Sequence, residues 1–225
     1  NSDNLFAVLG SAFHKAMELN DLYDISLEDL KKGWKILFLK YMSDAKYLDK
    51  KLENGFFMNR GYYLLRKGLE LKKRWKSTAS IIFNEKYFRI PLENKFINNV
   101  FISGKIDLAI KNKDDDIITI IDWKTSKNID KNIDDNDQIT IYIYYIHTQL
   151  KIDYENIFGA LVYPQIEDVI FTQRAESDVK NVLEKINTML KRIAEKDFKK
   201  EPIIDRKKDN CMFCAFKKYC KTHEF

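Results

Sequence analysis

The sequence is poor in the residues that interrupt regular structure. Its 225 residues include only 7 glycines and 3 prolines, which excludes collagen-like chains and chains dominated by flexible linkers. Apolar residues make up 45% of the chain and charged residues 32%, so the composition is that of a folded protein rather than a disordered one. This length suits one large domain, or one domain with a helical extension.

Long hydrophobic runs are missing as well. No stretch reaches the roughly 18 apolar residues that a membrane-spanning helix needs. The chain also does not open with the basic-then-apolar pattern of a secretory leader. We therefore expect a protein that is neither membrane-bound nor secreted, and that acts in the cytoplasm or at the nucleoid.

Charge is distributed unevenly along the chain, although lysine and arginine exceed aspartate and glutamate by only 39 to 34. Residues 60–76 carry seven basic side chains and one acid, and residues 191–225 carry eleven and six. Between them, residues 107–137 carry nine acids and five lysines. Basic flanks around an acidic centre favour a protein that binds a polyanion and holds divalent cations in its middle. Three solvated charged faces are the alternative interpretation.

Apolar residues at helical spacing dominate the first third of the chain. They predict one helix over residues 5–19 and two or three more over residues 27–76. Glycines are expected to interrupt these helices, and the candidates are Gly33, Gly55 and Gly61.

β-branched and aromatic runs predict strands over residues 81–83, 87–90, 96–102, 105–110, 117–121, 157–163 and 168–172. A break is expected at Gly104, and the uninterrupted apolar run 117–121 is typical of a strand buried on both faces. Residues 134–150 have the composition of a strand, but their length and a cap at Asp135 favour a helix. With an amphipathic helix over 177–197, this order predicts an α/β fold in which helices flank a central mixed sheet.

Two carboxylates and a lysine end two neighbouring predicted strands. Asp107 closes the segment Gly-Lys-Ile-Asp, and Asp122 and Lys124 follow the apolar run in Asp-Trp-Lys. Because residues two apart in a strand share a face, Asp122 and Lys124 project together, and Asp107 joins them if the two strands pair. Hard oxygen ligands suit Mg²⁺ or Mn²⁺, so the set predicts metal-assisted phosphodiester hydrolysis. An isolated Asp-x-Lys is also common on exposed strand ends.

Several segments resemble, in order, the motifs of the RecB-type branch of the PD-(D/E)XK nuclease superfamily. These are Gly10-x-x-x-His14, Gly104-Lys-Ile-Asp107, Ile120-Ile-Asp122-Trp-Lys124 and Asp137-Gln138-x-x-x-Tyr142. Phe198-x-x-x-Pro202 and the cysteines after it resemble the iron–sulfur members, which include CRISPR-associated RecB-like exonucleases and the AddB nuclease domain. The resemblance implies a restriction-endonuclease-like PD-(D/E)XK core over residues 81–200. It is preceded by a helical block (1–80) with the histidine motif and a basic patch, and followed by a cysteine-cluster tail (201–225).

The resemblance also implies roles for individual residues. The metal ligands would be His14, Asp107, Asp122 and the main-chain carbonyl of Trp123. Lys124 would be the catalytic lysine, and Gln138 and Tyr142 would orient it and contact DNA; Glu85 lies where some members have a supporting acid. A nitrogen ligand such as His14 suits Mn²⁺ better than Mg²⁺. A core histidine at position 14, and ordinary packing at 138 and 142, are the alternatives.

All three cysteines, Cys211, Cys214 and Cys220, lie within ten residues. Such a cluster favours a metal or cluster site over a disulfide framework. The resemblance implies a 4Fe–4S cluster, which needs four ligands, and the family's fourth cysteine precedes the histidine motif. No cysteine precedes His14 here. The fourth ligand is expected upstream of Asn1; the alternatives are a Cys₃His zinc site completed by His223, or an incomplete or absent cluster.

Together these observations predict a metal-dependent deoxyribonuclease. The expected activity is that of an exonuclease on single-stranded DNA ends, with endonuclease activity as a further option, in recombination, repair or CRISPR adaptation. The alternative is a nucleic-acid-binding or assembly module on a nuclease fold that acts with a helicase, a recombinase or a CRISPR adaptation complex. A weaker option is a zinc-stabilised interaction protein.

Overall fold

The computed structural model describes residues 3–23, 25–44, 54–129 and 132–195. In the N-terminal half of these ranges the elements are α1 (Asp3–Tyr23), α2 (Leu27–Asp44), α3 (Asn54–Thr78), β1 (Ala79–Pro91) and β2 (Phe101–Asn112). They are followed by β3 (Ile118–Trp123), α4 (Asp137–Leu150), β4 (Ile157–Tyr163), β5 (Asp168–Gln173) and α5 (Glu176–Ala194). None of the helices in these ranges combines the length and the apolar character that a bilayer span requires.

The strands form one five-stranded sheet in the order β1-β2-β3-β4-β5. β1, β2 and β3 pair antiparallel, β3 and β4 pair parallel, and β4 and β5 pair antiparallel. A parallel pair cannot be joined by a tight turn, so the chain crosses over between β3 and β4 through α4. The predicted mixed sheet is thereby confirmed.

Helices cover both faces of the sheet. α1, α2 and α3 share one apolar core with side chains such as Leu108 and Ile121. α4 and α5 pack on the opposite face, over side chains such as Ala109 and Ile120. Neighbouring residues of β2 and β3 therefore alternate between the two cores. The prediction that the strand at 117–121 is buried on both faces is confirmed.

The glycines expected to interrupt the helices do not do so. Gly33 lies inside α2, Gly61 lies inside α3, and Gly55 is in the first turn of α3. At Gly61 the reason is a close approach of two helices: a Cβ atom there would lie 1.9 Å from Cζ2 of Trp34. The glycine lets α3 pack against the buried indole of α2, and it does not mark a helix end.

Gly104 likewise does not break the sheet, because β2 runs through it from Phe101 to Asn112. A Cβ atom at Gly104 would lie 2.7 Å from the ring of Phe88, so this position accommodates an aromatic side chain of β1. The strand predicted from residue 96 was also placed too early, since residues 94–100 form the turn before β2. In that turn the side chain of Asn94 accepts two main-chain hydrogen bonds.

The helix predicted for the ambiguous segment 134–150 is α4, but its cap was misplaced by one residue. Asn136, not Asp135, caps the helix, and its side chain accepts a hydrogen bond from the N–H of Ile139. Residues 133–135 form a short 3₁₀ turn before the cap.

The C-terminal motifs lie outside the described residues. These are the Phe198–Pro202 motif, the cysteines Cys211, Cys214 and Cys220, and His223.

Candidate active site at the ends of β2 and β3

The two predicted carboxylate segments meet where β2 and β3 pair. The register that pairs Leu108 with Ile121 brings Asp107 to the end of β3. Asp107 Oδ2 accepts a hydrogen bond of 2.9 Å from the main-chain N–H of Trp123. A side chain of β2 therefore contacts the main chain at the point where β3 ends.

An ion pair closes the buried run of β3. Lys124 Nζ lies 2.5 Å from Asp122 Oδ2, and the Asp122 side chain is only 7% exposed. The N–H of Lys124 donates to the carbonyl of Val162 at 2.8 Å, which extends the pairing of β3 with β4 past Trp123. Burial raises the pKa of Asp122, and the nearby charge of Asp107 raises it further. A cation bound here would favour the ionised carboxylates.

α1 brings an imidazole to the same place. His14 Nδ1 lies 3.2 Å from Asp107 Oδ1 and 3.6 Å from Glu85 Oε1. Burial by itself lowers the pKa of His14, but the hydrogen bonds to Asp107 and Glu85 outweigh burial and raise it to about 10. A metal ion binds the neutral imidazole, so metal binding here displaces a proton held between the ring and the two acids.

Glu85 reaches the site through a distortion of β1. Its φ of 50° is left-handed, a conformation that is uncommon for a residue with a side chain and that is often kept at functional sites. The register of β1 and β2 pairs Asn84 with Leu108 and Lys86 with Ile106, so Glu85 and Asp107 lie between the same two residue pairs. Lys105 pairs with the second carboxylate oxygen of Glu85. Burial raises the pKa of Glu85, but hydrogen bonds from His14 and Lys105 reverse the effect and lower it.

The donor atoms of His14, Glu85 and Asp107 all lie within 4.8 Å of one another. These side chains line an open cavity of about 480 Å³ together with Gly10, Ser11, Lys15, Glu18, Tyr41 and Lys105. Two carboxylates and one imidazole are a donor set for a small divalent cation, and the nitrogen favours Mn²⁺. The residues present therefore fit a divalent metal ion that substrate can reach.

Gln138 and Tyr142 interact with each other on α4. Gln138 Nε2 donates to the hydroxyl of Tyr142 at 2.8 Å, and that hydroxyl donates to the main-chain carbonyl of Lys105 at 2.7 Å. Burial raises the pKa of Tyr142, and the charges of Asp122 and Asp107 add to the effect. Within the described residues no hydrogen bond joins this pair to Lys124. The pair instead holds β2 two residues before Asp107.

The Trp123 side chain belongs to the core. Its indole packs against Phe13 and Trp75, at 6.1 and 5.8 Å between ring centroids, respectively. Its N–H is the donor to Asp107. The metal-ligand role of the Trp123 carbonyl stays a prediction.

From the sequence, Glu85 was expected only as a supporting acid, and Lys105 was not expected at the site. Neither residue shares a periodicity or spacing with the acidic motifs. Lys105 was visible in the sequence, inside Gly-Lys-Ile-Asp, but its contact with Glu85 depends on the pairing of β1 with β2.

Comparison with known proteins identifies a family for this chain through one family model. No curated protein matches the chain. A crystal structure of SSO0001 aligns with 95% of this chain and 94% of that chain, with 17% sequence identity and a TM-score of 0.40. The family model of the PD-(D/E)XK nuclease superfamily matches residues 2–221. Since that match covers nearly the whole sequence, this chain belongs to the PD-(D/E)XK nuclease superfamily, whose members are metal-dependent phosphodiesterases.

Proposed function

We propose that this protein is a metal-dependent deoxyribonuclease with its active site at the ends of β2 and β3. One observation carries the proposal: three potential metal-ligand side chains converge within 4.8 Å, in an open cavity. The ion pair of Asp122 and Lys124 ends the strand beside them. The carboxylates lie beside His14, Lys105 and Lys124, and a divalent cation is a further partner that this donor set suits.

The ligands we propose are His14, Glu85, Asp107 and Asp122, with the Trp123 carbonyl as a further donor. A bound divalent cation supplies charge neutralisation at the phosphate and a lowered pKa for a coordinated water. The carboxylates hold their negative charge around the cation. His14 would bind the cation through Nδ1, the ring nitrogen that faces Asp107 and Glu85.

Lys124 is the residue we assign to the developing charge on the phosphate. Asp122 fixes the ammonium at 2.5 Å and prevents it from extending into solvent. A lysine held in this way can orient the attacking water or stabilise the additional negative charge of the transition state. Asp122 is almost fully buried, so the carboxylate of this pair is shielded from solvent.

Gln138 and Tyr142 are assigned a supporting role. Their hydrogen-bonded chain ends on the main chain of Lys105 and so limits the movement of Asp107, two residues further along β2. Nucleic acid that enters the site from the α4 side would also meet Gln138, which is exposed. Gln138 and Tyr142 would then affect the orientation of Lys124 indirectly, through β2 and the bound metal ion, and not through a direct hydrogen bond.

For the substrate we propose single-stranded DNA ends, and for the branch we propose the RecB-type iron–sulfur nucleases. The order of the five sequence motifs supports both proposals. A helicase, a recombinase or a CRISPR adaptation complex is the kind of partner that such an enzyme serves. Anaerobically purified protein should be brown, absorb near 400 nm and contain iron. Colourless protein with stoichiometric zinc would contradict the iron–sulfur assignment.

The activity is tested by digesting end-labelled DNA with Mg²⁺ and with Mn²⁺. Lys124→Ala should lower the cleavage rate by roughly 100-fold or more, because it removes a positioned charge from the transition state. Lys127→Ala is the matched control, since it removes an exposed lysine from the loop that follows β3. Cleavage by Lys124→Ala at the wild-type rate would contradict the mechanism.

A further inference from the structure

The seven basic residues between Arg60 and Lys76 differ in what they contact. Lys72 is buried, and its ammonium donates to a main-chain carbonyl of α1. Arg66 and Lys67 both pair with Glu70. The basic residues at the end of α3 lie 13 or more positions beyond Arg60, a distance of about 20 Å along a helix. The sequence pattern of a continuous basic patch therefore resolves into separate positions.

Arg60 is placed beside the candidate active site. Its Nη2 donates to the main-chain carbonyl of Thr125 at 2.9 Å, and Thr125 directly follows Lys124. Among the described residues no carboxylate pairs with this guanidinium, and partial burial lowers the pKa of Arg60. Its Nε is buried without a hydrogen-bond partner. Of the five N–H donors that an arginine offers, the described residues accept one.

One stripe of α1 connects Arg60 to the metal site. Phe6, Gly10 and His14 are spaced by four residues and so share a face of the helix. The guanidinium of Arg60 lies 5.2 Å from the ring centroid of Phe6. Gly10 faces the Thr125 side chain, which a Cβ atom would approach to 3.5 Å. The helical rise places Gly10 about 6 Å and Phe6 about 12 Å from His14 along the axis.

We propose that Arg60 binds a backbone phosphate of the DNA strand that is being cleaved, next to the scissile phosphate. The proposal rests on the proposed nuclease function and assigns a second phosphate subsite to the same active site. A guanidinium can bind two phosphate oxygens at once. Arg60 has free donors, no competing carboxylate among the described residues and a fixed place on the loop of Lys124. Phe6 is 43% exposed and supports one face of the guanidinium.

The test measures binding of a fluorescent single-stranded oligonucleotide in a Lys124→Ala background with Mg²⁺, so that the DNA stays intact. Arg60→Gln should weaken binding about 10-fold and lower the slope of log Kd against log salt by about 0.7, the value for one phosphate contact on a single strand. Arg66→Gln is the matched control, because Arg66 lies on the same helix and already pairs with Glu70. It should leave both quantities unchanged.

Arg60→Lys separates charge from the hydrogen bond to Thr125. It should recover part of the affinity and the whole salt slope, because the positive charge remains. Equal binding by Arg60→Gln and Arg66→Gln would overturn the proposal. A second pair of results for Arg60→Gln would also overturn it: an unchanged Kd in the Lys124→Ala background, together with a lower cleavage rate at saturating DNA in protein that keeps Lys124. Arg60 would then only position the loop. If the chain with Arg60 intact binds no DNA at all, the proposed nuclease function fails with it.

Discussion

Two buried polar clusters in this molecule differ in how their charges are satisfied. The first surrounds Arg174, which is 4% exposed. Its guanidinium donates to the hydroxyls of Thr140 and Thr172 and to the carbonyls of Ile133 and Gln173. These acceptors come from α4, from β5 and from the turn before α4. The carboxylate of Asp134 lies 3.6 Å from Nη1 of Arg174 and supplies the opposite charge. The cluster therefore ties three elements together, and its hydrogen bonds and its charge are satisfied within the chain.

The second cluster is the candidate active site, where three carboxylates lie beside the cationic side chains of His14, Lys105 and Lys124. Burial raises the pKa of Asp122, and the nearby charge of Asp107 raises it further. Glu85 adds a third carboxylate, held at a left-handed φ. The comparison teaches that burial of charge alone does not identify a functional site. Three potential metal-ligand side chains whose donor atoms lie within 4.8 Å of one another, in an open cavity, distinguish the second cluster.

The size of a cavity does not identify the candidate active site in this molecule. A cavity of about 520 Å³ opens beside Arg174, and it is larger than the one of about 480 Å³ at the acidic cluster. It is lined by Asp153, Tyr154, Glu155, Gln173, Arg174 and Ala175. Its arginine already makes four hydrogen bonds and pairs with Asp134. Among the described residues, the lining of this cavity holds no group of three potential metal ligands like that of the acidic cluster.

The largest expected effect is on stability at the Arg174 cluster. Arg174→Met keeps the apolar length of the side chain but removes its donors. Each buried acceptor left unsatisfied costs about 1–3 kcal/mol, so we expect a loss of about 3 kcal/mol in the free energy of unfolding, measured by urea denaturation. Cleavage per folded molecule should not change. A selective loss of cleavage with normal stability would place Arg174 in the active site, and the contrast between the two clusters would then be wrong.

Substitutions of two neighbouring residues, Glu85 and Lys105, should change the metal affinity in opposite directions. Glu85→Gln removes a proposed ligand and should weaken Mn²⁺ binding by roughly 10-fold or more, at least the effect of disturbing an outer-shell partner. Lys105→Gln frees Glu85 from its ion pair and removes a nearby positive charge. It should strengthen Mn²⁺ binding several-fold. Calorimetric titration measures both, and weaker binding by Lys105→Gln would show that the lysine supports the site.

Asp122→Asn should stabilise the metal-free protein. The substitution removes a negative charge that burial and the nearby Asp107 disfavour, as the raised pKa of Asp122 indicates. We expect the melting temperature in EDTA to rise by a few degrees, and the advantage to shrink when Mg²⁺ is added. Asp115→Asn, in the exposed turn before β3, is the control. A lower melting temperature in EDTA would mean that the ion pair with Lys124 outweighs the repulsion.

The smallest effect is expected at Tyr142. Tyr142→Phe leaves the carbonyl of Lys105 without its donor, which costs about 1 kcal/mol. Cleavage should fall by only a few-fold, because Asp107 loses support and not its charge. Tyr144→Phe removes a hydroxyl from the same helix and should have no effect on cleavage. A complete loss of cleavage in Tyr142→Phe would assign the hydroxyl a direct part in the chemistry.

The sequence predicted the parts of the site that depend on regular strands. Asp122 and Lys124 were expected on one face at the end of a buried strand, and an alternation of two residues was sufficient to place them. Asp107 was expected beside them if two strands paired, and the register of β2 and β3 pairs those strands. His14 lies on a helix far away in the chain, so only the resemblance to a nuclease family singled it out.

Features that depend on irregular backbone or close packing could not be predicted. Glu85 reaches the site because its φ is left-handed within a long strand, and no local sequence pattern predicts that conformation. Gly61 and Gly104 have the usual sequence character of breaks, yet each gives room to an aromatic ring from another element. Such contacts are set by tertiary packing, which overrides local preference.

The central claim is that His14, Glu85 and Asp107 hold a divalent cation. A crystal of the protein soaked with Mn²⁺, with anomalous differences measured at the manganese edge, tests it most directly. The account predicts a peak between His14 Nδ1 and the carboxylates of Glu85 and Asp107. At saturating Mn²⁺, a peak located elsewhere, or none, would contradict it.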